Sequence, residues 1–430
     1  MQNPILVILA GGVSSRMWPL REKSLLRFGD EPLLLAQLHR YKAMGFTRAV
    51  IVGNPENTDI IRELTANLPQ MNIKVATQLE PKGMGDALLR AGAFLPLDEH
   101  PAIYVNQVHD VTESSLHLDL LDNFRAAPTS SYLAGVERTE YFPGGYLIVD
   151  SDGRINGIVE KPGAANRPSN LVSIVAHIHA DATILLDTIE QQYRVAASPD
   201  DHYERAMDTL MREYVFRVVP YRGHWSALKY PWHVLEVMDQ FLNRIKGQTI
   251  HETAYIAKNS AIIGDVHISE GVKVFPGAAI VGPAYIGKGT IVGNNALVRS
   301  SMVLDKCEVG FTTEVARSYV ADHCSMHACR VLDSVFAAGV NFSAGCTTAN
   351  LRMDKGQVPT RVKGERMETG REKLGAIIGQ GAFLAVDVMT MPGVKVGEYA
   401  QVGPGAHVYA DVPDRTRLLV RQSQTSEPIT

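Results

Sequence analysis

The sequence predicts an α/β domain of Rossmann-like build at residues 1–245, a hexapeptide-repeat parallel β-helix at 246–415 and a polar tail at 416–430. Three observations carry this. The apolar run Ile5-Leu6-Val7-Ile8 reads as a buried parallel strand. Strand and helix signals alternate after it to about residue 245. From about residue 250 an aliphatic or small residue recurs every sixth position, and such a period means a parallel β-helix whose hexads form the sides of triangular coils.

Taken in order, a helix over Leu33–Met44 follows the first strand and its loop, and Arg48–Gly53 forms a second buried strand. Ile73–Thr77 is a third strand, Gly85–Leu95 a helix and Ile103–Asn106 a fourth strand. This β-α-β-α rhythm belongs to an open parallel sheet, whose ligands sit beyond the carboxyl ends of its strands. Gly144–Ile155 reads as a hairpin with Asp152-Gly153 at its turn, and Trp232–Ile245 as a closing helix. The hexads run from Val266 (VHISEG, VKVFPG, AAIVGP) to Ala349 and resume at Ala376 (AIIGQG, AFLAVD). The interruption between them, Arg352–Leu374, is polar and basic. A long insertion in a solenoid is often functional, and a solvated loop is the plain alternative.

Composition narrows the class. A chain of 430 residues is long for one domain, and its 45% apolar content supports filled cores. A formal net charge of −4 leaves no electrostatic footprint for nucleic acid. No apolar run reaches the ~18 residues of a membrane span. No charged segment with a cleavage site precedes the first strand, so no signal peptide is expected. Cys307, Cys324, Cys329 and Cys346 fit no zinc spacing and read as reduced thiols of a cytoplasmic protein. A metal pair at Cys324 and Cys329 competes with the reading of cysteine as a small core residue.

The loop after the first strand, Leu9-Ala10-Gly11-Gly12-Val13-Ser14-Ser15-Arg16-Met17-Trp18-Pro19 and on to Lys23, carries the chemistry. Two glycines and two hydroxyls let backbone N–H groups approach phosphate oxygens, and Lys23 adds a point charge. The spacing is neither that of a Walker loop nor G-x-G-x-x-G. It resembles the signature loop of sugar-1-phosphate nucleotidylyltransferases. With the hexads behind it, nearly the whole chain is similar to bifunctional N-acetylglucosamine-1-phosphate uridylyltransferases and their archaeal relatives. That resemblance implies a nucleotidyltransferase domain followed by a left-handed β-helix that trimerises. It also implies a reaction in which a sugar 1-phosphate attacks the α-phosphate of a nucleoside triphosphate, UTP or dTTP, and pyrophosphate leaves. Such a reaction needs positive charge, N–H donors, a divalent ion and in-line positioning, without a covalent nucleophile.

By the same resemblance, Leu9, Ala10, Gly11, Gly12, Ser14 and Ser15 hold the nucleotide, Arg16 takes the leaving pyrophosphate and Lys23 neutralises the α-phosphate. Gln78 and Gly83 match a Gln-x4-Gly segment in which the glutamine amide reads a pyrimidine ring, with Met84 in place of the usual threonine. Glu160-Lys161-Pro162 matches a segment in which Glu160 accepts sugar hydroxyls and Lys161 the sugar phosphate; a surface ion pair is the alternative. Gly145 gives backbone access to the sugar, and Ser173 stands at a sugar-binding asparagine. Asp110 is the Mg²⁺ ligand, while Ala227 occupies the position of a second ligand and cannot ligate. A degenerate, non-catalytic binder of nucleotide sugars therefore stays open beside the enzyme.

In the β-helix the resemblance implies acetyl transfer from acetyl-CoA, with His327 as base and Asn341 and Asn350 orienting substrate. Arg330 and Leu332 replace the tyrosine and glycine of that motif. An oligomerising platform is the competing reading.

Overall fold

A computed structural model of the chain describes residues 3–66, 68, 70–195 and 201–429. Contacts divide it into two compact units. One comprises the residues up to Val13 with Pro32–Ala227, the other Ser14–Glu31 with Leu228 onward.

The first unit is built on a nine-stranded sheet. Strand β1 (Ile5–Leu9) is buried at every residue, as its unbroken apolar run requires. It pairs in parallel with β2 (Arg48–Gly53) and β4 (Ile103–Gln107), and β2 pairs in parallel with β3 (Asn72–Thr77). Helices α1 (Leu33–Ala43), α2 (Thr58–Thr65) and α3 (Gly83–Gly92) make the crossovers. Helix α1 buries Leu34, Leu38 and Tyr41, a stripe at helical spacing. Helix α2 was not predicted; its eight residues carry one buried aliphatic side chain, Ile61, too little for a period.

Past β4 the sheet becomes mixed, mostly antiparallel with one further parallel pair. The chain continues through β5 (Asp110–Val111), α4 (Ser114–Ala126), β6 (Ser131–Glu137), β7 (Gly145–Val149), β8 (Ile155–Glu160), β9 (Leu171–His179), α5 (Ala182–Val195), α6 (His202–Met211), β10 (Phe216–Tyr221) and β11 (Ser226–Ala227), of which β5 and β11 lie outside the nine-stranded sheet. Strand β9 runs antiparallel to β4, β6 and β7, giving the order β8-β7-β9-β4-β1-β2-β3 with β6 on β9 and β10 on β6. The predicted hairpin is β7–β8. Asp150 closes its turn by accepting the N–H groups of Asp152 (3.0 Å) and Arg154 (2.9 Å). So short a connection can only join antiparallel neighbours.

In the second unit, α7 (His233–Leu242) leads into three parallel sheets of short strands. Each coil places one inward side chain per sheet. The second sheet stacks Val274, Val292, Val309, Met326, Phe342, Leu384 and Val402, all buried. The six-residue rhythm is not strict. Lys273 pairs with Ile291 eighteen residues on, Ile291 with Glu308 seventeen on, and Ser325 with Asn341 sixteen on. The shortened coils turn through Ser300, Arg317, Ala328 and Asp333, non-glycine residues with φ between 46° and 50°. Dropping a corner residue leaves the inward column intact, which is why the repeat tolerates it.

The cysteines belong to these columns. Cys307 and Cys324 stack with Thr290 and Val340, and Cys329 and Cys346 with Thr313 and Val388. All four are free thiols, buried, and donate to carbonyls: Cys307 to Ala321 (3.1 Å), Cys324 to Ala337 (3.2 Å), Cys329 to Phe342 (3.1 Å) and Cys346 to Ala385 (2.9 Å). Burial pushes Cys329 up to about 11 and Cys346 up to about 12. Cys324 and Cys329 fill core columns on either side of a corner, which explains their spacing without a metal. The basic insertion is not a bare loop. It folds as a hairpin, Pro359–Val362 with Glu365–Glu368, that buries Val358 and Val362; Thr360 donates to the Gly393 carbonyl (2.8 Å).

Candidate active site

At the carboxyl end of β1 the chain turns through Ala10 and Gly11. A Cβ on Gly11 would lie 3.0 Å from the Gly53 carbonyl oxygen and 3.1 Å from Gln78 Oε1, so this close approach favours glycine. A Cβ on Gly12 would meet nothing within 4 Å, leaving that backbone open to a ligand. Asn57 Nδ2 donates to the Ala10 carbonyl (3.0 Å), and Asn57 Oδ1 accepts the Asn54 N–H (2.8 Å). These two buried asparagines brace the turn. Sequence reading missed them because Asn54-Pro55-Glu56-Asn57 looks like any polar loop.

Gln78 lies beside Gly11 and Gly83. Its Nε2 donates to the Gly83 carbonyl (2.9 Å) and to Asp86 Oδ2 (3.0 Å), so both amide hydrogens are spent inside the fold. Its Oε1 lies next to Gly11.

Strands β5 and β11 form a ladder of their own, in which Ala227 lies directly opposite Asp110. Asp110 is buried, and its Oδ1 accepts the Trp225 indole N–H at 3.0 Å. The two positions that the resemblance assigns to the metal therefore meet, and one of them is a methyl group. Among the described residues no group of three or more His, Cys, Asp or Glu could hold a metal ion. This donor set fits one protein oxygen for an ion that keeps waters and phosphate oxygens as its other ligands. It does not fit a two-carboxylate cage.

Three residues of the expected sugar side converge on the β7–β8 hairpin. Glu160 pairs directly with Gly145, and a Cβ on Gly145 would lie 3.3 Å from Glu160 Oε2. Lys161 turns out of the strand at φ 45°, with its Nζ 3.0 Å from Glu160 Oε1. Ser173 lies on the neighbouring strand β9, with its Oγ 2.9 Å from His177 Nε2.

The remainder of the loop belongs to the second unit, where β-helix side chains hold it. Ser14 Oγ accepts the Lys23 N–H at 3.4 Å. The Arg16 guanidinium lies 5.8 Å from the centroid of Tyr230, which stacks on Trp232 at 4.6 Å; Ser15 and Arg16 are exposed. Trp18 Nε1 donates to Asp414 Oδ1 (2.9 Å), the Lys395 ammonium sits 4.9 Å from the Trp18 ring, and Arg21 pairs with Glu398 at 2.6 Å. Farther along, Arg27 bridges Asp305 (3.1 Å) and Asp322 (2.8 Å), and Tyr319 donates to the Arg27 carbonyl (2.8 Å).

On the β-helix, His327 is exposed at a corner and Asn341 stacks one coil on, above Ser325. Asn341 Oδ1 accepts from Ser343 Oγ (3.0 Å). Asn350 donates to Asp333 (2.5 Å), a buried carboxylate already gripped by two 2.7 Å bonds from Arg317. His327 and Asp333 flank the strand Arg330–Leu332 at opposite ends. Within the chain, Asn350 is thus not gathered around the histidine.

The chain belongs to the nucleotidyl transferase family, whose profile matches residues 5–226. Its relatives extend over both halves. It is 30% identical over 413 residues to a bifunctional sugar-1-phosphate nucleotidylyltransferase/acetyltransferase of Sulfurisphaera tokodaii, covering 94% of this chain and 97% of that one. It is 28% identical over 427 residues to the bifunctional protein GlmU of Methanococcus aeolicus, covering 94% and 95%. Among the described residues no helix is long and apolar enough to cross a membrane.

Proposed function

We propose that the chain is a cytoplasmic sugar-1-phosphate nucleotidylyltransferase that joins a sugar 1-phosphate to UTP or dTTP and releases pyrophosphate. One observation carries the reading: Gly11, Gln78 and Gly83 cluster at the carboxyl end of the parallel strands, where a triphosphate needs close backbone approach. Glu160 accepts hydroxyl hydrogens of the sugar, and Lys161 and Lys23 counter the phosphates. Arg16 draws charge toward the leaving pyrophosphate. The sugar phosphate oxygen attacks the α-phosphorus in line, so positioning and charge do the catalytic work. Asp110 would hold the Mg²⁺ that accompanies the triphosphate, and that ion supplies further charge neutralisation.

The β-helix serves first as the scaffold of the loop and as a platform for a homo-oligomer. Acetyl transfer from acetyl-CoA is a second reading, favoured by the bifunctional relatives and the exposed His327. Thiol release from acetyl-CoA with glucosamine 1-phosphate tests it, with His327→Ala as the control. The main reading is tested by pyrophosphate release from UTP and dTTP, each paired with glucose 1-phosphate, N-acetylglucosamine 1-phosphate and glucosamine 1-phosphate. Turnover with at least one pair is expected. Tight nucleotide binding without turnover in any pair would leave a nucleotide-sugar binder instead.

A further inference from the structure

Behind Ser173 runs a closed chain of polar groups. Ser173 Oγ is 2.9 Å from His177 Nε2, His177 Nδ1 is 2.8 Å from the Tyr203 hydroxyl, and that hydroxyl is 2.8 Å from His179 Nε2. Tyr203, His177 and His179 are each at most 2% exposed. The chain ends at His179 Nδ1, which is buried and has no hydrogen-bond partner. Burial holds His177 down to about 3 and His179 well below the ordinary histidine value, so at pH 7 each ring carries one proton.

A tyrosine hydroxyl has one hydrogen, so between two ring nitrogens it must donate to one and accept from the other. If it donated to His179, the proton of that ring would sit on Nδ1 as a buried N–H without an acceptor. Orphaned buried N–H groups are rare, and an unpaired acceptor is the more tolerable defect. The opposite direction keeps every hydrogen in a bond. His179 Nε2–H donates to Tyr203, Tyr203 donates to His177 Nδ1, and His177 Nε2–H donates to Ser173 Oγ.

The geometry points to Ser173 as a specificity-determining residue whose hydroxyl is wired through His177, Tyr203 and His179 to donate its hydrogen to an acceptor oxygen of the bound sugar phosphate. Such an acceptor is a carbonyl, ether, hydroxyl or phosphate oxygen, and a donor-only ammonium at that point is disfavoured. Glu160 accepts while Ser173 donates, so the two read opposite polarities of one substrate. This inference rests on the proposed sugar side of the site.

Neutron diffraction from deuterated crystals of the full chain at pH 7 tests the wiring without reference to activity. It should find deuterium on Nε2 of both histidines and none on Nδ1. Deuterium on Nδ1 of either ring would overturn the inference and leave the nucleotidyl reading untouched. Kinetics test its consequence, using whichever sugar 1-phosphate of the panel turns over fastest. Ser173→Ala and Tyr203→Phe should each raise the KM for that sugar phosphate about threefold to tenfold, the worth of one hydrogen bond. The KM for the triphosphate and kcat should stay within about twofold, and the double variant should be no worse than Ser173→Ala alone. An unchanged sugar KM in Ser173→Ala, with the deuterium as expected, would remove Ser173 from the sugar side and the inference with it. If Tyr203→Phe fails to fold, Ser173→Ala and the deuterium positions still decide.

Discussion

At the scale of residues, one pair defines what is unusual about this chain. Asp110 and Ala227 face each other across a two-rung ladder, and only one of them can bind a cation. Introducing a carboxylate opposite Asp110 by Ala227→Asp should lower the Mg²⁺ concentration needed for half-maximal turnover by about tenfold. A Mg²⁺ titration of pyrophosphate release checks this, and an unchanged midpoint would separate Ala227 from the metal. Lys23 is expected to act on charge that develops in the transition state. Lys23→Ala should therefore cut kcat by about 10²–10³ while nucleotide affinity changes far less. Gln78 is less open than its motif implies, because Asp86 and the Gly83 carbonyl hold both its amide hydrogens.

At the scale of elements, the signature loop is legible where it is local and illegible where it is not. Gly11, the strand before it and the parallel strands beside it follow from apolar runs and glycine, because those signals are carried by neighbouring residues. The Asn57 brace and the anchoring of Trp18 by Asp414 depend on partners that only the fold brings near, the latter 396 residues apart in sequence. The same reason hides the shortened coils, since a lost corner residue leaves the inward column in place. Trp18→Phe keeps an aromatic ring, a smaller one, but removes the N–H donor to Asp414. If that anchor steadies Lys23, stopped-flow or steady-state kinetics should show a several-fold lower kcat with an unchanged KM for the sugar phosphate. An unaltered kcat would mean that the anchor serves stability alone.

At the scale of the whole molecule, three buried histidines tie stability to pH. Burial depresses His117, with Arg40 adding to it, and likewise His177 and His179. Unfolded, these rings take up protons below a pH of about 6.5, while in the fold they stay neutral. The unfolded state then binds more protons, so their stabilisation is complete above about pH 6.5 and is lost as pH falls, at up to about 1.4 kcal/mol per pH unit for each ring. Urea unfolding should show a lower midpoint at pH 5 than at pH 7, and a constant midpoint would contradict the burial of these rings.

We propose that a loop rich in phosphate-binding groups and a single carboxylate suffice for nucleotidyl transfer. It is tested most directly by following the α-phosphorus of labelled UTP and dTTP in the presence of Mg²⁺ and the sugar 1-phosphate panel. The label should move into a nucleoside diphosphate sugar in step with pyrophosphate release, and Asp110→Asn should nearly abolish the transfer. Label that stays in intact triphosphate, bound but never transferred, would contradict the proposal.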